Sequence, residues 1–435
     1  MEKSIAAEAF PSDKQILGYS RWVVFAAAFL AIGVISPYEY AWSSMSGHIG
    51  KFYGWSPTQI GWMFTLFVVL ESVGTLPGGI LRDKFGPRIV TVVAGIIAGV
   101  GIFAISLGPS YSVVLILWCL GSFFAGFVYN TAVTTANKWF PDHRGWVTGL
   151  IAGAFAWGAL PFIFPIRAIP KTAPDSVFFQ VIYIMAAIIA VVTVVTSLVM
   201  KDPPTGWQPA GWTPAKTVQR ATTHQYTLVE ALGTWQMWFL IVSFILISSA
   251  GLAGVSKMVK YSDSFKFAAA AATAAAGGIT LFNGLGRVLL GGISERLGRE
   301  NCMIWSYILT GVFLFLSILA GNAHSDVLFV ICAVLAIFFW GPLFSLFPAV
   351  IGQYYGSMSS GSNYGLLYAV AKGSGGVYGG VLSAILITDH GYPFAMGVSA
   401  LMAIFAGLLI IPLRKSPPVW TGEQVIASSG SHAPA

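Results

Sequence analysis

Long apolar stretches alternate with short polar turns along nearly the whole chain. Twelve of these stretches reach about 20 residues, the length at which a helix rising about 1.5 Å per residue crosses a hydrocarbon core about 30 Å thick. The pattern predicts an all-α membrane protein with twelve transmembrane helices. The predicted spans lie near 21–45, 58–81, 88–108, 111–137, 145–166, 177–200, 234–255, 267–294, 302–320, 326–350, 361–387 and 392–413.

The longest polar segment, 201–233, separates the first six predicted spans from the last six. It begins KDPPTGWQPAGWTPAK, a proline-rich composition that is typical of a linker. The expected organisation is a cytoplasmic N-terminal tail over 1–20, a six-helix half over 21–200, the cytoplasmic linker over 201–233, a second six-helix half over 234–413 and a cytoplasmic C-terminal tail over 414–435.

Two pairs of similar segments relate these halves. GGILRDKFGPR at 78–88 has a counterpart in GGISERLGR at 291–299, about 213 residues later. NKWFPDHRG at 137–145 has a more diverged counterpart in GQYYGSMSSGSNYG at 352–365, offset by about 215 residues. Nearly equal offsets close to half the chain length indicate a duplication, the usual construction of secondary transporters. We therefore expect two pseudo-symmetric six-helix halves.

The composition supports a membrane location and the charges predict an orientation. Of the 435 residues 56% are hydrophobic and 9% are charged, whereas soluble domains carry about 25% charged residues. The net charge of +7 does not indicate nucleic-acid binding, because its distribution follows the turns: 15 of the 23 Lys and Arg residues fall on one side and 6 on the other. The positive-inside rule makes the richer side cytoplasmic. The prediction is a monomeric multi-pass protein of the cell inner membrane with both termini in the cytoplasm.

Little in the sequence indicates an enzyme, a cofactor or a metal. The cysteines all lie in apolar spans, which suggests neither disulfides nor a metal site: Cys119, Cys302 and Cys332. The histidines near span ends form no acid–base cluster: His48, His143 and His324. No loop is long enough for the soluble domain of a sensor. The N-terminus lacks a signal-peptide cleavage pattern, so the first span is expected to remain.

Four charged residues lie well within the predicted spans: Glu39, Glu71, Arg287 and Lys372. Arg287 lies roughly 13 Å from Arg296 at the polar end of its helix, close to the middle of the bilayer. A charge there is costly, so it is by default a candidate functional site. Asn283 precedes Arg287 by one turn and Tyr368 precedes Lys372 by one turn, so each pair shares a helix face.

The two cations allow two interpretations. The planar guanidinium of Arg287 can bind a carboxylate through two hydrogen bonds, with the Asn283 amide beside it. Alternatively, Arg287 or Lys372 forms a structural ion pair with Glu39 or Glu71. The roles of the two glutamates are also open. Each can carry a proton, pair with a cation or hydrogen-bond groups on neighbouring helices, and a packing role is favoured for Glu71.

Several motifs resemble a known family. The turn RDKFGPR resembles the signature of the major facilitator superfamily. TTANKWFPDHRG, LFNGLGR, FFWGPLFSLFP and YAVAKG are similar to the oxalate/formate antiporter branch, which is related to the monocarboxylate transporters. The resemblance covers nearly the whole chain except its termini and 201–233. It implies that Lys372 matches the substrate lysine of span 11.

The resemblance also implies which aromatic residues line the cavity. The candidates are Tyr38, Tyr40, Trp42, Tyr129, Phe155, Trp157, Trp340 and Phe344, of which Tyr40, Tyr129 and Trp340 match best. Two positions depart from the related patterns. Glu39 stands where the antiporter branch leads us to expect a neutral amide, and Asn283 stands where monocarboxylate transporters commonly have an acid.

Two glycine-containing segments bear on conformational change. The RDKFGPR turn is expected to form a cytoplasmic latch that controls gating through Arg82, Asp83, Lys84, Gly86 and Arg88. KGSGGVYGGVL, which begins at Lys372, is expected to pack closely against a neighbouring helix through its small residues.

Together these features predict a secondary transporter of small carboxylate anions that works by alternating access. Two uncompensated cations would hinder closure of an empty cavity, because both must be desolvated, and this favours exchange of an oxalate/formate type. The alternative is a proton-coupled symporter of monocarboxylates such as lactate, in which Glu39 or Glu71 balances the charge or takes up a proton. A sugar or drug carrier on the same fold is less favoured, because a pair of cations selects anions.

Overall fold

The fold is known from a computed structural model that describes residues 11–108, 110–170, 172–204, 207–209, 224, 226–356, 360–415 and 418. Within them, twelve helices are long and apolar enough to cross a membrane, which confirms the predicted number. They are α1 (Arg21–Tyr40), α2 (Pro57–Phe85), α3 (Pro87–Ser106), α4 (Tyr111–Trp139), α5 (Trp146–Ala168), α6 (Asp175–Ser197), α7 (Trp235–Ser264), α8 (Ala269–Ser294), α9 (Arg299–Asn322), α10 (Asp326–Tyr355), α11 (Asn363–His390) and α12 (Tyr392–Arg414).

Among the described residues, three short α-helices and one 3-10 turn lie outside these spans: Asp13–Leu17, Trp42–Tyr53, Leu228–Leu232 and the turn Pro141–His143. Parts of the predicted tails and linker lie outside the described residues, namely 1–10, 205–206, 210–223, 225, 416–417 and 419–435. The predicted end of the seventh span, at residue 255, was too early, because α7 continues to Ser264.

Breaks in the spanning helices bend the backbone near the centre of the molecule. α1 consists of Arg21–Val34 and a separate turn, Pro37–Tyr40, because Pro37 has no N–H with which to continue the helical ladder. α5 is divided into Arg144–Trp157 and Leu160–Ala168. Helical hydrogen bonding in α11 widens to a π-helical segment at Tyr378–Leu382, a feature often found at functional sites.

The internal repeat is visible in two matching turns. Gly86 ends α2 and begins α3 with a φ of 83°, and Gly298 ends the helix of α8 and begins that of α9 with a φ of 89°. Both glycines donate their N–H to the carbonyl four residues earlier, Arg82 in the first turn and Ser294 in the second. A positive φ of this size favours glycine, so the two related sequence motifs build the same corner.

Helices of the first six and the last six meet along two seams, α2 with α11 and α5 with α8. Small residues allow the close approach in the first seam. A Cβ on Gly61 of α2 would lie 2.9 Å from the carbonyl oxygen of Gly380, and a Cβ on Gly376 of α11 would lie 2.6 Å from Cβ of Val68. The prediction that the glycines after Lys372 serve close helix packing is confirmed for Gly375, Gly376, Gly379 and Gly380 but not for Gly373. The buried charges lie between these seams.

Candidate functional site

Arg287 lies in α8 with 1% of its surface exposed. Its Nε donates to Oδ1 of Asn283 at 2.9 Å, one turn earlier on the same helix. Its terminal nitrogens donate to the carbonyl of Ala152 in α5 and to the hydroxyl of Tyr40 in α1, each at 2.7 Å. The ring of Phe344 lies 4.3 Å from the guanidinium carbon. All of these contacts are with neutral groups, and none of the ion pairs in the described part of the chain includes Arg287.

Lys372 lies in α11 and is fully buried. Its Nζ donates to Oε2 of Glu71 at 2.8 Å and to the hydroxyl of Tyr368 at 3.0 Å. Oε2 of Glu39 lies 3.2 Å from the same nitrogen as an ion pair. Sequence analysis left open which cation the glutamates would approach, and the structure places both beside Lys372.

Both glutamates are fully buried, Glu39 on the short turn that ends α1 and Glu71 in α2. Within the described residues, neither oxygen of Glu39 makes a hydrogen bond of good geometry, although the Tyr40 hydroxyl interacts with this carboxylate, and Oε1 of Glu71 lacks a partner. Such groups are costly to bury, since a desolvated carboxylate is stabilised only by good partners. The arrangement leaves unused acceptor capacity next to a single ammonium group.

Aromatic rings enclose the two cations. Four ring centroids lie 5.2 to 5.9 Å from Nζ of Lys372, those of Tyr129, Phe155, Phe344 and Tyr368. Tyr129 of α4 stacks on Tyr368 of α11 with centroids 6.0 Å apart, and Phe155 meets Tyr40 edge-on at 5.8 Å. The rings exclude water and turn their negative faces towards the cations, while the hydroxyls supply hydrogen bonds.

Other aromatic candidates lie outside this enclosure. The indole N–H of Trp340 donates to the carbonyl of Ile247 at 2.9 Å, and the ring packs behind Phe344 with centroids 5.5 Å apart. Tyr38 stacks on Phe67, and its hydroxyl donates to the carbonyl of Ala98 at 2.6 Å.

Two further tryptophans also make their contacts outside this enclosure. Trp42 packs against Phe64 and Trp118. The indole N–H of Trp157 donates to the carbonyl of Leu281 in α8 at 2.9 Å. Of the aromatic candidates, Tyr40, Tyr129, Phe155 and Phe344 therefore contact the cations or each other around them.

The turn between α2 and α3 forms an ionic cluster within the first six helices. Arg82 is 1% exposed and pairs with Asp202 and with Asp83. Lys138, at the end of α4, lies 2.7 Å from Asp202 and 3.4 Å from Asp83. Asp83 therefore pairs with a lysine at the end of a neighbouring helix.

The remaining residues of this turn take other roles. Nε of Arg88 donates to the carbonyl of Met200 at 3.3 Å. Nζ of Lys84 lies 5.3 Å from the centroid of the Phe85 ring, and Gly86 provides the corner. All of these contacts remain within the first six helices.

The opposite end of the molecule is closed by contacts between the two sets of helices. Thr65 of α2 donates its hydroxyl hydrogen to the carbonyl of Gly376 and accepts the N–H of Val381, each at 3.0 Å. Val381 belongs to the π-helical segment of α11, so Thr65 satisfies backbone groups at this irregularity. Arg167 at the end of α5 pairs with Asp263 at the end of α7 at 3.3 Å.

Two features of this region were missed from the sequence. The carbonyl of Ala152 binds Arg287, and a backbone carbonyl that accepts from a side chain cannot be identified from the residue type. Lys257 is 6% exposed within α7, and it was not counted because the seventh span was predicted to end before it. A longer apolar window would have included it.

The site combines a guanidinium, an ammonium, two carboxylates and hydroxyl groups in a sealed aromatic enclosure. The described residues contain no group of three or more His, Cys, Asp or Glu side chains arranged to hold a metal ion. Binding of a small anion needs only the cations and hydroxyls that are present, because charge-assisted hydrogen bonds are strongest in such dry surroundings.

Comparisons with known proteins agree with this architecture. The family model described as Major Facilitator Superfamily matches residues 17–366 and 238–429. The chain is 30% identical over 401 residues to the oxalate:formate antiporter of Oxalobacter formigenes, covering 92% of this chain and 93% of that protein. It is 24% identical over 359 residues to the MFS-type transporter YhjX of Escherichia coli strain K12, covering 80% and 84%. A 38 kDa protein of Thermoproteus tenax is 26% identical over 381 residues, with 88% and 91% covered.

Proposed function

The chain belongs to the major facilitator superfamily, and we propose that it exchanges small carboxylate anions across the cell inner membrane by alternating access. The observation that carries this proposal is the environment of Arg287: a buried guanidinium whose contacts are all with neutral groups. A buried cation without a direct counter-ion is a receptor for an anion. The similarity to an oxalate:formate antiporter supports the same substrate class.

A carboxylate would bind by replacing some of the contacts that Arg287 now makes. The guanidinium offers two parallel N–H groups that match the two oxygens of a carboxylate. The free amide of Asn283, whose Nδ2 lacks a partner among the described residues, lies one turn away and can donate a further hydrogen bond. The Tyr40 hydroxyl, which now binds Arg287, would then also hydrogen-bond the substrate.

A second carboxylate of the same molecule would reach Lys372. To do so it must compete with Glu71 and Glu39, which occupy the ammonium in this structure. The hydroxyls of Tyr129 and Tyr368 would orient the anion, and the ring of Phe344 would fill its apolar face. Small size follows from the enclosure, because the rings that surround Lys372 lie within 5.9 Å of its nitrogen. Trp340 would act from behind Phe344 by fixing the position of that ring.

Alternating access would come from rocking of the two halves, 21–200 and 234–413, about this central site. We place the termini and the 201–233 linker in the cytoplasm, since most Lys and Arg residues outside the spans are on that side. The contacts of Thr65 and Arg167 would then close the extracytoplasmic face. The Arg82–Asp202–Lys138 cluster would hold the first half together as a unit at the cytoplasmic face during gating.

The test is counterflow with the purified protein in proteoliposomes. Vesicles preloaded with unlabelled oxalate, formate, lactate or succinate should accumulate the same labelled acid from outside, and vesicles loaded with glucose should not accumulate labelled glucose. Arg287→Gln should reduce this accumulation to the level of protein-free vesicles. Failure of all four acids with folded protein, or equal counterflow by Arg287→Gln, would show that the site is not a carboxylate receptor.

A further inference from the structure

Two buried carboxylates share one ammonium in the central site. Oε2 of Glu71 lies 2.8 Å from Nζ of Lys372, and Oε2 of Glu39 lies 3.2 Å from it. The remaining oxygen of each glutamate has no hydrogen-bond partner within the described residues. Each carboxylate therefore keeps an oxygen at which a proton can bind.

While both glutamates are ionised, the formal charges of the site add up to zero only when it is empty. Arg287 and Lys372 contribute two positive charges, and ionised Glu39 and Glu71 contribute two negative ones. An incoming carboxylate would leave one uncompensated negative charge inside a sealed enclosure, where all four side chains are no more than 1% exposed. A proton on either glutamate restores neutrality.

We propose that Glu39 and Glu71 form a proton-binding pair that takes up one proton for each substrate carboxylate bound at Arg287 and Lys372. This proposal rests on the proposed carboxylate transport. The substrate carboxylate replaces a glutamate at Lys372, and the displaced glutamate binds the proton. No covalent chemistry is involved, and the proton is released with the substrate when the site opens to the other face.

The other titratable groups around the pair are known. α1 contributes Tyr40, α4 contributes Tyr129, α8 contributes Arg287, and α11 contributes Lys372 and two tyrosines that interact electrostatically with the pair or its neighbours, Tyr364 and Tyr368. A tyrosine hydroxyl and a guanidinium ordinarily keep their protons at neutral pH. The glutamates are therefore the groups in this cluster whose protonation can follow substrate binding.

The pair changes the transport cycle that two cations alone would impose. A site with two uncompensated cations returns only when loaded, and it therefore only exchanges. Here both the empty site with two ionised glutamates and the loaded site with its protons are neutral, so both can close. The carrier can therefore catalyse net, proton-coupled movement of substrate in addition to exchange.

Proton movement and exchange can be measured on the same proteoliposomes. Vesicles contain the pH dye pyranine, and valinomycin with equal potassium on both sides holds the membrane potential at zero. The acid with the highest counterflow among oxalate, formate, lactate and succinate is added outside. The expected result is internal acidification that matches labelled uptake at about one proton per carboxylate. Protein-free vesicles provide the correction for passive entry of undissociated acid.

Variants test the two glutamates. In Glu39→Gln combined with Glu71→Gln, the ratio of proton-driven uptake to counterflow should fall by about tenfold or more. Glu230→Gln is the matched control, because Glu230 lies outside the site in a helix capping box that glutamine also satisfies, and its ratio should equal that of the wild type.

The outcomes separate the two proposals. Counterflow without any proton movement in the wild type would overturn the proton pair and leave carboxylate exchange in place. An unchanged ratio in the double variant would also overturn it. Absence of counterflow for all four acids would overturn carboxylate transport and the proton pair together. The wild-type measurement tests the proton-binding pair even when the double variant fails to fold.

Discussion

Nζ of Lys372 donates a 2.8 Å hydrogen bond to Oε2 of Glu71, although these residues lie 301 positions apart, in α11 and α2. The contact therefore joins the last six helices to the first six across one of the seams that alternating access would open. A buried ion pair contributes little net stability, but removing one partner leaves an uncompensated charge. This contact should influence both folding and gating.

Replacing Lys372 tests the stability side of this relationship. Lys372→Gln leaves two buried carboxylates without their cation, and we expect destabilisation of about 3–5 kcal/mol, seen as a clearly lower thermal midpoint in detergent. Adding Glu71→Gln removes one of the two uncompensated carboxylates and should recover part of the loss. The check is thermal unfolding followed by tryptophan fluorescence. If the stability losses of the two single substitutions simply add in the double variant, Lys372 and Glu71 are not directly coupled.

Arg287 should require its guanidinium and not only its charge. Arg287→Lys keeps the positive charge but loses the planar fork and the simultaneous contacts with Asn283, Ala152 and Tyr40. We expect carboxylate counterflow to fall by about tenfold or more, equivalent to about 1.4 kcal/mol. Lys51→Gln, which alters an exposed cation away from the site, is the control and should transport normally. Full activity of Arg287→Lys would exclude two-point binding.

Thr65 should control opening of the face opposite the termini. Thr65→Val removes the hydrogen bonds to Gly376 and Val381, which cross between the halves and contribute about 0.5–1.5 kcal/mol each. We expect a larger population of open molecules, measured as longer distances between spin labels at positions 56 and 389 in a cysteine-free background.

Thr75→Val is the matched control for this experiment. The Thr75 hydroxyl donates to the carbonyl of Ser72 within α2 and makes no bond across the seam. Its distance distribution should stay that of the parent protein. A Thr65→Val distribution identical to the control would rule out a gating role for Thr65.

The small residues of α11 should differ in their tolerance of a methyl group. A Cβ on Gly376 would lie 2.6 Å from Cβ of Val68, whereas a Cβ on Gly373 of the same helix would have no atom within 4 Å outside its own helix. Gly376→Ala should cost about 1–3 kcal/mol in closing the seam and should slow counterflow. Gly373→Ala should be tolerated. Equal effects of the two substitutions would refute the packing explanation.

Asp142 offers a pH-dependent test outside the membrane. It accepts hydrogen bonds from Arg21 at 2.9 and 2.6 Å. Burial would raise the pKa of Asp142, but the hydrogen bonds and charge of Arg21 outweigh burial and lower it. A lowered folded-state pKa stabilises the protein above the unfolded-state value of about 3.9, and this contribution is lost as the pH falls through the folded-state value.

The measurement compares Asp142→Asn with its parent in a His143→Gln background, because the imidazole of His143 lies 3.6 Å from the Asp142 carboxylate. The thermal midpoint of the Asp142→Asn protein should lie below that of its parent by a constant amount between about pH 8 and pH 5. The difference between the two midpoints should shrink below about pH 4. A difference that grows as the solution becomes more acidic would contradict the assigned sign.

Much of the architecture could be predicted because the membrane imposes a strong rule on sequence. A spanning helix needs about 20 apolar residues, so each of the twelve spans is visible as a local pattern. The end of α7 was misplaced because Lys257 and Lys260 look like the start of a polar loop, although Lys257 is buried inside the protein. Local hydropathy cannot show that a charge is covered by neighbouring helices.

The site was predictable to a smaller degree. Apolar surroundings identified Arg287, Lys372, Glu39 and Glu71 individually, since any charge in that setting is conspicuous. Their pairing was open, because α2 and α11 are distant in sequence and their contact depends on tertiary packing. The carbonyl of Ala152 and the orientation of the Trp340 indole depend on helix breaks and rotations that residue type does not encode.

The division of the four buried charges has a consequence for biogenesis. The first six helices carry only the acidic members, Glu39 and Glu71, and the last six carry only the basic members, Arg287 and Lys372. A half synthesised by itself would hold two like charges in the bilayer without counter-ions. The ion pairs of Glu39 and Glu71 with Lys372 can therefore form only after α11 has been inserted, so these contacts join the two halves late in the synthesis of the chain.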